Sequence, residues 1–141
     1  MRRLLNEGKP QEAMETVSSH ARSGSKALIN AYGVCLMRTG RYREAVNILR
    51  GLVYQGDTFA MAEDTPAVVK TNYATALLLN DNVDGCEAIL NQLKGEETPT
   101  SARLTAAITR WKQDLSFFQR VQRIWGTPSL KVSLDFPPGD V

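Results

Sequence analysis

The segment 26–52, KALINAYGVCLMRTGRYREAVNILRGL, carries two apolar stripes at helical period, separated by Thr39-Gly40. Ile29, Tyr32, Gly33 and Leu36 share one helix face at offsets of 0, 3, 4 and 7, and Tyr42, Ala45, Val46 and Leu49 repeat those offsets in the second half. Gly33 and Ala45 are small residues, one on each side of the break, where two helix backbones can approach closely. The pattern is that of a helical hairpin whose apolar faces need further hairpins to cover them.

The rest of the chain supplies those hairpins. Residues 70–77 align with 29–36 without a gap: Tyr73 falls on Tyr32, Ala74 on Gly33 and Leu77 on Leu36. Cys86 then falls on Ala45 and Leu90 on Leu49. Upstream, Ala13 and Val17 repeat Ala45 and Leu49, and Gly8 repeats the turn glycine Gly40. The period is uneven, with 32 residues from Ala13 to Ala45 and 41 from Ala45 to Cys86. The extra length falls in the linker 54–65.

These residues resemble the tetratricopeptide repeat, whose pattern over about 34 residues is W-x2-L-G-x2-Y, then A-x3-F, then P. The central copy reads Ile29-x2-Tyr32-Gly33-x2-Leu36, then Ala45-x3-Leu49. In the next copy Lys70 stands at the large first position, Ala74 replaces the glycine and Cys86 the alanine. No copy ends in proline. The resemblance covers about two repeats plus fragments. It implies an all-α fold, a right-handed α-α superhelix of antiparallel helix pairs. The domain 1–126 then comprises a half-repeat over 1–24, repeats over 26–56 and 66–94, and a capping helix over 100–125, followed by an extended tail over 127–141.

Helix ends are legible. Pro10 suits a first helical turn, where its missing N–H is no loss. Ser25 is expected to cap the helix from Lys26 with its side chain. Thr65-Pro66 reads as a cap followed by proline at the first position of a helix through Asn80. Asp81-Asn82 is a turn, residues 83–93 are the partner helix, and Pro99 precedes a helix starting at Thr100 or Ser101. Leu104, Ala107, Ile108, Trp111, Leu115, Phe118, Gln122 and Trp125 continue one stripe to Gly126 with no turn signal. One long helix laid over the last hairpin is the usual end of such an array. In the tail, Leu130, Val132, Leu134 and Phe136 alternate with polar residues, as on one side of an extended strand. Such a strand is expected to lie along its own helices or to pair with a neighbouring chain.

Composition narrows the function. The 141 residues have a net charge of +2, which implies neither a nucleic-acid nor a membrane partner. There is no apolar run of spanning length, and the residues after Met1 are too short and polar for a leader, so a cytoplasmic protein is expected. Cys35 and Cys86 fall within apolar helical patterns and read as small buried hydrophobes, not as a disulfide framework or metal ligands. His20, the sole histidine, sits near a helix end where the dipole favours its cationic form. No phosphate-binding, dinucleotide or nucleophile-elbow motif is present, and Glu63-Asp64 and Glu96-Glu97 read as solvated loop acids. No enzyme activity, cofactor or metal is expected.

The resemblance implies instead an adaptor or scaffold that binds a partner peptide or helix in a groove lined by the first helix of each repeat. The family's groove positions fall on Ala27, Asn30, Ala31, Val34, Met37 and Arg38, and then on Val68, Thr71, Asn72, Thr75, Leu78 and Leu79. The set Asn30, Val34, Met37, Arg38, Thr71, Asn72, Thr75 and Leu78 is the candidate peptide site. Members that clamp an acidic C-terminal peptide use several lysines and arginines here. This chain offers Arg38 and Asn72, so an aliphatic or mixed peptide is expected. A groove filled by the linker or the tail is the alternative. Arg38, Arg41 and Arg43 cluster at a helix turn and can engage a carboxylate or phosphate bidentately; solvation, or pairing with Asp81 and Asp84 of the next repeat, is the commoner outcome and the one expected. A second functional reading is self-assembly through the tail or the cap helix, where Phe117 lies opposite the main stripe. A third is RNA binding through Arg110, Lys112, Arg120 and Arg123, with Trp111 and Trp125, which the near-neutral charge disfavours.

Overall fold

The structure, a computed structural model, describes residues 2–21, 25–54, 62, 64–125 and 131–141, with side chains placed for all of these except 2, 19–21 and 116–125. Among the described residues the fold is all-helical. Its elements are α1 (Arg2–Asn6), α2 (Pro10–Ala21), α3 (Lys26–Arg38), α4 (Tyr42–Val53), α5 (Ala67–Leu79), α6 (Val83–Gln92) and α7 (Pro99–Trp125). Each of α1 to α6 packs on its neighbour in the chain. In addition α3 meets α5, and α7 lies against both α6 and α5. No helix of the described residues is long and apolar enough to cross a membrane.

One turn recurs at each hairpin. After α1, Gly8 N–H donates to Leu5 C=O and Lys9 N–H to Leu4 C=O. After α3, Gly40 donates to Met37 and Arg41 to Leu36; after α5, Asp81 donates to Leu78 and Asn82 to Leu77. Each pair satisfies the last free carbonyls of the helix and needs a left-handed residue just past its end. Gly8 (φ 72°) and Gly40 (φ 79°) adopt that conformation freely, whereas Asp81 (φ 62°) adopts it with a side chain. The next helix then starts at once, with the Asn82 side chain accepting from Gly85 N–H at 2.9 Å.

The hairpins interlock through small residues. A β-carbon at Gly33 would lie 2.7 Å from Leu49 Cγ and Cδ2, so α3 and α4 meet at a distance only glycine allows. Leu36, Ala45, Leu49, Val53, Ala74 and Cys86 are fully buried in the core. Tyr54 meets Tyr73 edge-on, with ring centroids 5.9 Å apart. Both cysteines are free and buried. Burial pushes the Cys86 thiol up to about 12, with Glu87 adding to the effect, and raises Cys35 as well.

Burial is distributed unequally between first and second helices. In α4 only Ala45, Leu49, Leu52 and Val53 are buried, one stripe as the period predicts. In α3 the run Gly33 to Met37 is buried together with Asn30 and Ala31, and α5 is buried continuously from Thr71 to Leu78. A helix buried all round has neighbours on every side. For α3 and α5 these are the second helices on one face and the tail on the other.

Several local expectations are corrected. Ser25 stands at the N-cap of α3, but its side chain makes no capping bond. Pro66, not Thr65, is the N-cap of α5: its ψ of 143° is extended and the helix begins at Ala67, while the Thr65 hydroxyl bonds Leu52 C=O at 3.5 Å. In α6 Ile89 takes the buried place after Cys86 and Leu90 is half-buried, a slip of one position from the Ala45–Leu49 spacing. The long helix starts at Pro99, where Thr98 and Ser101 exchange side-chain and backbone hydrogen bonds in a reciprocal cap. On that helix Leu104, Ala107 and Ile108 are buried and Trp111 is half-buried. The expectations for the side chains of His20, Phe117, Phe118, Arg120, Gln122, Arg123 and Trp125, for Glu63, for Leu130 and for most of the linker 54–65 lie outside the described residues.

Candidate functional site

The face shared by α3, α5 and the start of α7 is covered by the chain's own residues 131–141. The alternation read in the sequence reappears: Val132, Leu134 and Phe136 are half-buried against the core, while Lys131, Ser133 and Asp135 are exposed. The segment bends at Asp135, Phe136 and Pro138 and pairs with no strand among the described residues; it lies on helices. Lys131 Nζ meets Asp81 Oδ2 at 2.8 Å, at the turn after α5. Asp135 lies 3.9 Å from Arg110 Nη1, and the Arg103 guanidinium stands 5.7 Å from the Phe136 ring centre, both on α7.

The contacts beyond Phe136 are directed at main chain. Arg38 donates from Nε to Pro138 C=O at 3.1 Å and from Nη2 to Gly139 C=O at 3.0 Å. Its Nη1 donates to Leu5 C=O at 2.9 Å, tying α1 to the same guanidinium. Asn72 grips residue 140 from both sides: its Nδ2 donates to Asp140 C=O at 2.8 Å, and its Oδ1 accepts from Asp140 N–H at 2.9 Å. The same Nδ2 donates to Asn30 Oδ1 at 2.9 Å, while Asn30 Nδ2 reaches Asp140 C=O at 3.5 Å. Asn72 is fully buried and Asn30 is 6% exposed, so these amides have no solvent to fall back on. Among the described residues no buried side-chain nitrogen or oxygen lacks a partner.

Two positions of the segment are read by side chain. Gly139 is buried with φ 81°, and a β-carbon there would lie 2.7 Å from Met37 Cε and 2.8 Å from Val34 Cγ2. The Asp140 carboxylate accepts from the Thr100 hydroxyl at 2.5 Å, in the first turn of α7, where the free amides of a helix start favour negative charge. Val141 borders a cavity of about 550 Å³ lined by Leu28, Ala31, Leu52, Val68 and Val69 among others.

Of the eight sequence-derived positions, the structure brings Asn30, Val34, Met37, Arg38 and Asn72 together around residues 138–140. Thr71, Thr75 and Leu78 are placed differently. Thr71 donates to Ala67 C=O and meets the Thr98 hydroxyl, Thr75 donates to Thr71 C=O, and Leu78 lies in the core. The pairing of the arginine cluster with Asp81 and Asp84 is also corrected. Arg38 goes to the tail, Arg41 makes a two-pronged pair with Glu44, and Asp81 takes Lys131. On α7, Arg110 faces the tail and Lys112 pairs with Glu87 of α6 at 2.7 Å. Glu96 is exposed, as expected of a loop acid, and its carboxylate also lies 3.5 Å from Lys70 Nζ.

Thr100, Arg103, Gly139 and Asp140 were missed by sequence reasoning. The acid seated on this face is held by the Thr100 hydroxyl and a helix start, with the Arg38 guanidinium near enough to feel its charge. Thr98-Pro99-Thr100 signals a helix start, but nothing in the sequence pairs it with a residue 40 positions away. Among the described residues no group of three or more His, Cys, Asp or Glu is placed to hold a metal ion. Comparison with protein-family models found no match, and neither did comparison with curated proteins or with solved structures.

Proposed function

We propose that this chain is a non-catalytic protein-interaction module, a tetratricopeptide-like right-handed stack of helical hairpins closed by α7, which takes an extended peptide across α3 and α5. The observation that carries the reading is the set of hydrogen bonds from Asn30, Asn72 and Arg38 to the backbone of residues 138–140. Side chains that bond a passing main chain recognise an extended polypeptide as such, whatever its origin. The recurrence of one helix-ending turn at Gly8, Gly40 and Asp81 supports the repeat architecture. Two free, buried thiols fit a reducing, cytoplasmic setting.

On this reading the tail is a ligand in cis, and a partner gains the face by displacing it. A tethered segment competes at an effective concentration in the millimolar range, so the intact chain binds weakly in trans. The test is selection from a random-peptide display library on the full chain carrying Gly139→Lys, which unseats its own tail. The same chain with Asn30→Ala and Asn72→Ala added is the control. Peptides should be enriched by the first protein and not by the second. No enrichment by a chain whose circular dichroism and melting remain cooperative refutes the proposal.

A further inference from the structure

Resting on that reading, we infer that the face selects an extended peptide carrying glycine, then an acidic residue, then an aliphatic one, the chemistry of Gly139-Asp140-Val141. Departure of the tail leaves polar groups of this face without their partners. The Asn72 amide, fully buried in place, would lose both its bonds to residue 140, and Arg38 two of its three carbonyl partners. A replacement peptide must present its backbone in the same register to satisfy them, since an unmet buried polar group is costly. Once the register is set, each position of the peptide meets a fixed wall.

The first wall admits no side chain. Met37 Cε is a flexible tip, but Val34 is β-branched, unexposed and held in the core, so it cannot retreat from a β-carbon 2.8 Å away. The positive φ of 81° penalises any L-residue independently. The second position is chosen by charge. Its carboxylate meets the Thr100 hydroxyl at the N-terminus of a 27-residue helix, and an amide there keeps the hydrogen bond while losing the attraction of charge for the helix start. The third position borders a cavity lined mainly by apolar side chains, Leu28 and Val69 among them, with Lys26 and Asp64 also on its wall; an aliphatic side chain suits the apolar part, where a charge is disfavoured. Upstream, Arg103 favours an aromatic residue three positions before the glycine, as Phe136 is in cis.

The experiment uses the full chain carrying Gly139→Lys and a fluorescent synthetic peptide of residues 131–141, with binding read by anisotropy. The native-sequence peptide should bind. Changing its glycine to alanine should weaken binding at least tenfold, its aspartate to asparagine about threefold to tenfold, and its valine to lysine about tenfold. Thr100→Val in the protein should weaken binding and narrow, without abolishing, the preference for aspartate over asparagine, because the helix start and Arg38 still attract the charge, while leaving the glycine preference intact, a split that general unfolding would not produce. Binding of all peptides within twofold of one another overturns the inference. So does failure of the native-sequence peptide while display-selected peptides without glycine and acid bind, and that result leaves the peptide-binding module standing. Failure of both kinds of peptide removes the module as well. Exchange of tails between copies, seen as a dimer by light scattering of the unsubstituted chain, would show the occupant to be a second copy and overturn the inference of a separate partner.

Discussion

Asn72→Ala is the substitution that most directly probes the join between tail and helices. Asn72 is unexposed and makes three hydrogen bonds, two to the backbone of Asp140 and one to Asn30. Each such bond contributes about 1 kcal/mol net, so loss of the two to the tail should weaken its docking by about 2 kcal/mol, roughly thirtyfold. The third leaves Asn30 Oδ1 buried without a donor, a further cost of about 1–2 kcal/mol that falls on the helices whether or not the tail is seated. The total expected in a urea titration is therefore about 3–4 kcal/mol. A double-mutant cycle separates the two parts. In the Gly139→Lys background, where the tail is already unseated, Asn72→Ala should cost only the smaller part, giving a coupling energy of about 2 kcal/mol. Hydrogen exchange at the Asp140 amide, whose acceptor is Asn72 Oδ1, should accelerate about thirtyfold in the single variant. Additivity of the two substitutions within about 0.5 kcal/mol, with unchanged exchange at Asp140, would mean that Asn72 does not hold the tail.

Three further outcomes follow from the packing and the titrating groups. Gly33→Ala should destabilise by about 1–2 kcal/mol, the overpacking against Leu49 outweighing the helical preference for alanine, and Leu49→Ala in the same chain should erase that cost in guanidinium titrations. Asp81→Gly should raise stability by about 1 kcal/mol in the same assay, because glycine relieves the left-handed conformation, φ 62°, while the exposed pair with Lys131 contributes little; a loss would show that the pair matters more than the backbone. Raising pH should destabilise the fold. Because the folded Cys86 titrates near 12 and the unfolded thiol near 9.0, its contribution is fully present below pH 9.0 and is lost as pH rises toward 12. The slope attributable to Cys86 is about 1.4 kcal/mol per pH unit in that window, and Cys86→Ala should flatten the denaturation midpoint against pH accordingly.

The helices were legible because each carries its own signals. The stripe at Tyr42, Ala45 and Leu49 needs only its own residues to predict α4, and Gly8 and Gly40 predict the turns that end α1 and α3. The slip at Ile89 and the silent hydroxyl of Ser25 show where local reading stops. In both, a tertiary neighbour or the backbone geometry of the turn chose among options the sequence leaves equal. The candidate site was half legible. Asn30, Val34, Met37, Arg38 and Asn72 were named through the resemblance, since they share the exposed side of each first helix in an array. Thr71 and Thr75 were named by the same rule, yet their hydroxyls bond carbonyls four residues back in α5, an option open to any threonine within a helix.

Sequence alone determined that this chain is built of helices and that its last residues alternate apolar and polar. Both follow from periodicity, which is a property of neighbours along the chain. Packing in three dimensions sets the rest: those last residues lie on α3, α5 and α7, Gly139 meets Val34 and Met37, and Asp140 is shared among Asn30, Asn72 and Thr100. The physical reason is separation: the bonds joining Asn72 to Asp140 span 68 residues, and they form because buried amides require partners and the tail is the polypeptide within reach. No local pattern records which segment will supply them.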